Sequence, residues 1–162
     1  VLRAEGFDVR VVNAKKEKIK DISEYELVIV GSGMKIGRWT KEPEKFLDKF
    51  ASELAKKKLA LFVSSAPQIT YEHQNDEEKK EWAWNKYLVE KTEKYGLTPI
   101  AMAIFGGWVN METMGWLDKK MGRFLIPELE AAGVKNENGV YDTRDWDAIR
   151  AWAKGLAQKV RA

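Results

Sequence analysis

The sequence predicts an α/β domain, a parallel sheet with helices on both faces, on three observations. Short apolar runs alternate with longer amphipathic stretches, the order of strand–helix–strand units. Two of the runs, Leu27-Val28-Ile29-Val30 and Leu59-Ala60-Leu61-Phe62-Val63, are continuously apolar, as strands buried on both faces should be. The chain has 162 residues and is 44% hydrophobic, enough for one domain with a real core, so a single domain over 1–162 is expected.

The elements follow in order. Val1 to Gly6 reads as the last turn of a helix with Gly6 as its stop, and Phe7 to Asn13 alternates as a first strand. In an α/β protein such a helix end follows an earlier strand and loop, so an upstream segment is expected. The second strand, Leu27 to Val30, runs into Gly31-Ser32-Gly33. Thr40 caps a helix with Pro43 in its first turn, and Phe46, Leu47, Phe50, Ala51 and Leu54 share one face. The third strand, Leu59 to Val63, leads to Ser64-Ser65-Ala66-Pro67, and a polar loop carries the single His73. A long helix holds Trp84, Tyr87, Leu88, Lys91 and Tyr95 at helical spacing and stops at Gly96. The fourth strand is Pro99 to Phe105. A Met- and Trp-rich stretch from Trp108 to Leu125 follows, then a Gly/Asn turn region from Gly133 to Gly139. Thr143 or Asp142 caps a final helix striped by Ala148, Ile149, Trp152, Ala153, Leu156 and Val160.

Composition narrows the function classes. The chain has no Cys, which removes disulfides, Cys-ligated zinc and iron–sulfur clusters and suits the cytoplasm. No segment approaches the roughly 18 apolar residues of a membrane span. Net charge is +3 with mixed signs, too mild an excess to call for nucleic acid.

In open parallel sheets ligands sit at the carboxyl ends of strands. That rule points to three loops: 31–39, 64–72 and 106–112. The run Gly31-Ser32-Gly33-Met34-Lys35-Ile36-Gly37 superficially matches a dinucleotide fingerprint. Two features count against it. The next helix starts near Thr40, too late to meet a phosphate held by those glycines, and the following strand ends in Ser64-Ser65 with no acid for a ribose. A ligand-free turn and a flat-ring pocket remain. In the second reading the small residues at 31–33 let a planar ligand lie against backbone, with Met34, Ile36 and Trp39 covering it. Ser64-Ser65-Ala66-Pro67 makes a poor nucleophile site, because there is no Gly-x-Ser-x-Gly elbow and only His73 could serve as base. No metal site is expected: Asp142, Asp145 and Asp147 read as carboxylates at a helix N-terminus. The stretch 108–125 is amphipathic and basic in its second half. It reads either as a helix on the sheet edge, with Met filling gaps, or as a surface for a membrane or a greasy partner such as a quinone. Of the seven Trp, Trp146 and Trp152 are expected in the core or in helix packing, Trp39 and Trp108 at the ligand side.

The segment from Tyr25 through Gly31-Ser32-Gly33-Met34-Lys35-Ile36-Gly37-Arg38-Trp39 to Phe50 resembles the strand and loop of flavodoxin-domain proteins. The likeness is nearest to the menaquinone-dependent protoporphyrinogen dehydrogenase branch and its archaeal relatives. Ala103-Ile104-Phe105-Gly106-Gly107-Trp108 is similar in placement. The tail Val140-Tyr141-Asp142-Thr143-Arg144-Asp145-Trp146-Asp147-Ala148-Ile149-Arg150-Ala151-Trp152-Ala153 resembles that branch's ending. The resemblance implies a three-layer flavodoxin-like sandwich around a parallel sheet of order 2-1-3-4-5, binding FMN, with the first family strand and its phosphate loop absent from this sequence. Phe7 to Asn13 would then be the family's second strand, and two ladder edges would stand unpaired unless upstream residues, another chain or a rearranged pairing fills the gap. FMN phosphate binding is therefore carried onto no residue here.

For the flavin ring the resemblance implies Ser32, Gly33, Met34, Lys35, Ile36 and Gly37 on one side and Ser64, Ser65, Ala66 and Pro67 on the other. Trp39 or Trp108 would flank the ring. Electron or hydride transfer then needs no acid–base residue, since the chemistry is the cofactor's. The basic balance favours the dehydrogenase-like branch over acidic electron carriers. Expected partners are a redox protein or a quinone, with peripheral membrane contact through 108–125. A flavodoxin-fold interaction module without flavin is the alternative.

Overall fold

The computed structural model describes residues 1–162, apart from the side chains of Leu117, Asp118 and Met121. In chain order the elements are β1 (Leu27–Lys35), β2 (Arg38–Trp39), α1 (Lys41–Leu54), β3 (Lys58–Ser64), α2 (Gln68–His73) and α3 (Glu77–Trp84). A π-turn (Asn85–Val89) joins α3 to α4 (Glu90–Tyr95). Then come β4 (Ala101–Phe105), β5 (Trp108–Asn110), α5 (Trp116–Ala131), β6 (Asn136–Glu137), β7 (Val140–Asp142) and α6 (Trp146–Arg161).

β1, β3 and β4 are parallel neighbours, with Val28 beside Leu59 and Leu61 beside Met102. Alternation along β3 feeds two cores. Leu59, Leu61 and Val63 join Leu47, Phe50 and Leu54 of α1 and Ala83 and Leu88 of the α3–α4 stretch. Ala60 faces the other way, against Leu156 and Val160 of α6. Helices therefore cover both faces, and the three-layer α/β architecture expected from the sequence is the one observed. Truncating the fully buried Leu47 or Leu61 to Ala would cost about 2–5 kcal/mol.

The structure corrects several readings. Phe7 to Asn13 is not a strand. A strand exists by virtue of a hydrogen-bonded neighbour, and this segment is tethered by side chains instead. Arg161 donates to the Glu5 carbonyl and lies over the Phe7 ring, while Arg10 reaches Tyr25 at 3.1 Å. Between this segment and β1 runs a groove lined by Val12, Ile22, Val28 and Phe46. On that side β1 pairs only at Met34 and Lys35, among the described residues.

Secondly, β1 does not stop at Val30. It continues through the glycines to Lys35, paired with β3 as far as Gly33↔Ser64, and turns back at Ile36-Gly37 into β2. Ile36 (φ 49°) and Gly37 (φ 67°) both have positive φ, the pattern of a type I′ hairpin. Thirdly, the residues before His73 form α2, and His73 is exposed at its end.

A fourth difference lies after β4. Trp108–Asn110 opens a small antiparallel sheet of order β5-β7-β6, closed by an Asn138-Gly139 hairpin with both residues at positive φ. Finally, α6 is capped by Asp145, whose carboxylate accepts the N–H groups of Asp147 and Ala148 at 2.9 Å. Trp146 is accordingly half exposed beneath the Arg144 guanidinium rather than packed in the core. Val1 to Gly6 forms turns rather than the end of a helix, although Gly6 does take positive φ; the Gly96 helix stop and the Trp152 packing, edge-on to Phe62 and Phe105, are as expected.

Candidate functional site

The parallel pairing ends at Gly33, Ser64 and Phe105, and there a cleft of about 350 Å³ opens. This is within the size range of small-molecule sites, roughly 300–1,000 Å³. Four elements build it. The β1–β2 hairpin gives Gly33, Met34, Ile36 and Gly37, and the turn after β3 gives Ser64, Ser65, Ala66 and Pro67. The π-turn gives Tyr87. The 107–125 stretch gives Gly107, Trp108, Val109, Met114, Gly122 and Leu125.

The two glycines of β1 do different jobs. A Cβ on Gly31 would stand 2.1 Å from Phe62 Cζ, so Gly31 makes room for that ring on the α6 side. A Cβ on Gly33 would meet nothing within 4 Å, because Gly33 faces the open cleft. Only the second glycine thus offers bare backbone to a ligand.

Most polar groups around the cleft are spent on its frame. Ser32 is buried, its hydroxyl donating to the Gly33 carbonyl at 2.9 Å and accepting the Thr40 N–H at 3.0 Å. Thr40 precedes α1, yet its side chain meets Ser32 instead of capping the helix. Ser64 donates to the Gly106 carbonyl at 3.0 Å, and the Ser65 N–H to the Phe105 carbonyl at 2.8 Å. Thr143 clamps Gly107: its hydroxyl exchanges hydrogen bonds with the Gly107 N–H and carbonyl at 2.9 Å each. The clamp explains why Thr143 is not the cap of α6. It also needs glycine at 106, where a Cβ would lie 1.9 Å from the Thr143 carbonyl oxygen.

Trp39 is 5% exposed and belongs to the core. Its indole N–H donates to the Tyr87 carbonyl at 2.8 Å. The π-turn carries one residue more than an α-helical turn, a feature frequent at functional sites. The Trp39 bond pins this widened turn where Tyr87 reaches the cleft, its hydroxyl 3.9 Å from where a Cβ on Gly37 would stand. Burial pushes the Tyr87 phenol up, so it stays protonated through neutral pH.

Of the residues the sequence singled out, Gly33, Met34, Ile36, Gly37, Ser64, Ser65, Ala66, Pro67 and Trp108 line one cleft. Ser32 and Trp39 stand behind its wall. Lys35 points to a separate groove shared with Val11 and Lys15. Sequence reasoning missed Tyr87, which it read as part of a helix stripe, and Gly107, Val109, Met114, Gly122 and Leu125. Gly107 and Val109 fall in the loop 106–112 to which the strand-end rule pointed, though only Trp108 next to it was singled out by name. The 108–125 surface includes Leu117, Asp118 and Met121, whose side chains lie outside the described residues.

Among the described residues the cleft lining carries no charge, and no His/Cys/Asp/Glu group could hold a metal ion. Small residues, a Tyr, a Trp and methionines suit a flat, largely apolar ring.

Parallel strands between two helical layers, with a cleft at their carboxyl ends, define an α/β protein of the doubly wound class. Within that class the Flavodoxin domain family matches residues 1–132, and the chain belongs to it. No curated protein and no solved structure matches the chain. The parallel run β1-β3-β4 between helical layers is consistent with a flavodoxin-like fold. No helix among the described residues is long and apolar enough to cross a membrane.

Proposed function

We propose that this chain is an FMN-dependent redox protein whose strand-end cleft takes the isoalloxazine ring. The observation that carries the reading is the cleft itself: uncharged, ring-sized and open at Gly33, in a chain of the flavodoxin domain family. Gly33, Gly37 and Ala66 would let the ring approach backbone, and Trp108, Tyr87 and Met114 would cover it. The lining fits the ring and offers no cation for the phosphate, so nothing is assigned to that group. When bound, FMN supplies one- and two-electron chemistry; the chain's residues position it and exclude water. The acceptor in this reading is a quinone, as in the protoporphyrinogen dehydrogenase branch, or a redox protein, in a cytoplasmic setting suited to a chain without Cys.

FMN titration followed by fluorescence tests it. A saturable change is expected, with riboflavin binding nearly as well as FMN because no lining residue is charged. If neither flavin changes its fluorescence on adding the chain, the reading is overturned. The chain would then be a flavodoxin-fold interaction module.

A further inference from the structure

The inner side of α5 is committed to the fold. Leu129 is fully buried, Leu125 walls the cleft, and Gly122 sits 3.4–3.5 Å under Met111 and Met114, measured to a Cβ placed there. The outer side is a different surface. Trp116 is 78% exposed and Phe124 77%, eight residues apart and so about 12 Å along the helix. At 100° per residue, Lys119, Lys120, Arg123 and Pro127 fall on that same side. All are exposed, and no carboxylate among the described residues from 116 to 127 shares the face.

Two large aromatic side chains bare to solvent on one helix face are costly unless something covers them. The interleaved cations say what does. A second copy using the same face would set Lys119, Lys120 and Arg123 against themselves, since a two-fold contact is self-complementary. An anionic lipid surface accepts all six groups at once: rings at the headgroup level, ammonium and guanidinium groups on phosphates.

We propose that the outer face of α5 docks the protein flat on an anionic membrane surface. Because Leu125 on the opposite side walls the cleft, docking would hold the cleft about one helix diameter, roughly 10–12 Å, from the bilayer surface. The inference deepens the quinone part of the redox reading and takes its purpose from it. Docking itself is read out without flavin, so the two can fail separately.

Cosedimentation of the full chain with vesicles tests the proposal. Vesicles containing phosphatidylglycerol should pellet the protein, and pure phosphatidylcholine vesicles should not. The double variant Trp116→Ser/Phe124→Ser and the triple variant Lys119→Glu/Lys120→Glu/Arg123→Glu should each weaken binding at least about tenfold. Both should melt at the wild-type temperature, because the altered side chains are exposed. The proposal is overturned by no pelleting, by equal pelleting with neutral vesicles, or by variants that bind as wild type. It also falls if sedimentation without lipid shows a dimer that the Trp116→Ser/Phe124→Ser variant abolishes.

Discussion

Substituting Val for Gly31 and, separately, for Gly33 should give opposite results, although the positions are two residues apart on one strand. At Gly31 the new Cβ would fall 2.1–2.6 Å from three atoms of the Phe62 ring. Phe62 cannot yield freely, because it sits in a tilted pair with Phe105 at 5.8 Å and edge-on to Trp152 at 6.2 Å. Overpacking costs about 1–3 kcal/mol, and losing one or both aromatic pairs adds about 0.5–1.5 kcal/mol each. Gly31→Val should therefore lose at least roughly 1.5 kcal/mol, a fall in Tm of at least about 3 °C in a domain of this size. At Gly33 the same side chain meets nothing within 4 Å. Removing a strand glycine there should leave stability unchanged or raise it by about 0.5–1 kcal/mol.

Flavin affinity separates the two further. The Gly33 valine would occupy the surface offered to the ring, so FMN should bind at least about tenfold more weakly, or about 1.4 kcal/mol. Gly31→Val should keep wild-type affinity at temperatures where it remains folded. Thermal melts and FMN fluorescence titrations on the same samples read both quantities. A Gly33→Val protein that is fully stable and binds FMN as wild type would refute the placement of the ring. A Gly31→Val protein that melts as wild type would refute the close approach of Phe62.

Other substitutions test the frame. Trp39→Phe removes the buried hydrogen bond from the indole to the Tyr87 carbonyl at 2.8 Å. It should cost about 0.5–1.5 kcal/mol in urea titration and shift FMN affinity by releasing the π-turn; an unchanged midpoint would show that the bond is not needed there. Glu44 is held below its ordinary carboxylate value, first by the Lys91 hydrogen bond at 2.5 Å and further by Lys94. The contribution is therefore complete above the ordinary glutamate pKa and is lost as pH falls through the lowered folded value. The stability gap between wild type and Glu44→Gln should narrow from about pH 7 to about pH 3, and parallel curves would contradict the assignment.

Sequence periodicity reported burial faithfully and neighbours poorly. Leu59 to Val63, the α1 face and the α6 stripe were legible because each pattern records which side meets the core. Phe7 to Asn13 alternates as a half-buried strand should, but alternation says nothing about whether another strand lies alongside. The glycines of β1 read as a loop because glycine weakens strands. Only the three-dimensional position of Phe62 explains why Gly31 can stay inside one. Ile36 hid the hairpin, since a β-branched residue rarely takes positive φ. The Asn138-Gly139 pair, by contrast, was a strong hairpin signal in plain view and was read only as a turn region. Tyr87 was disguised by the π-turn, whose extra residue shifts the phase of a helix and redirects the side chain that follows.

The distribution of polar groups decides what kind of chemistry the cleft can host. Ser32 holds Thr40, Ser64 holds Gly106, Thr143 holds Gly107 and Trp39 holds Tyr87, so these hydroxyls and the indole N–H are committed to the rim. What faces the cavity is backbone, rings, thioethers and the Ser65 side chain, with one phenol whose pKa burial raises further above its ordinary value. Such a site is poorly equipped to take or give a proton but well equipped to fix a flat group in a dry slot. The proposed flavin, which brings its own electrons, asks for no more than that of the chain. Rim substitutions should accordingly alter affinity and placement together, whereas no single side chain of the cleft should behave as an acid or base in a pH–rate profile.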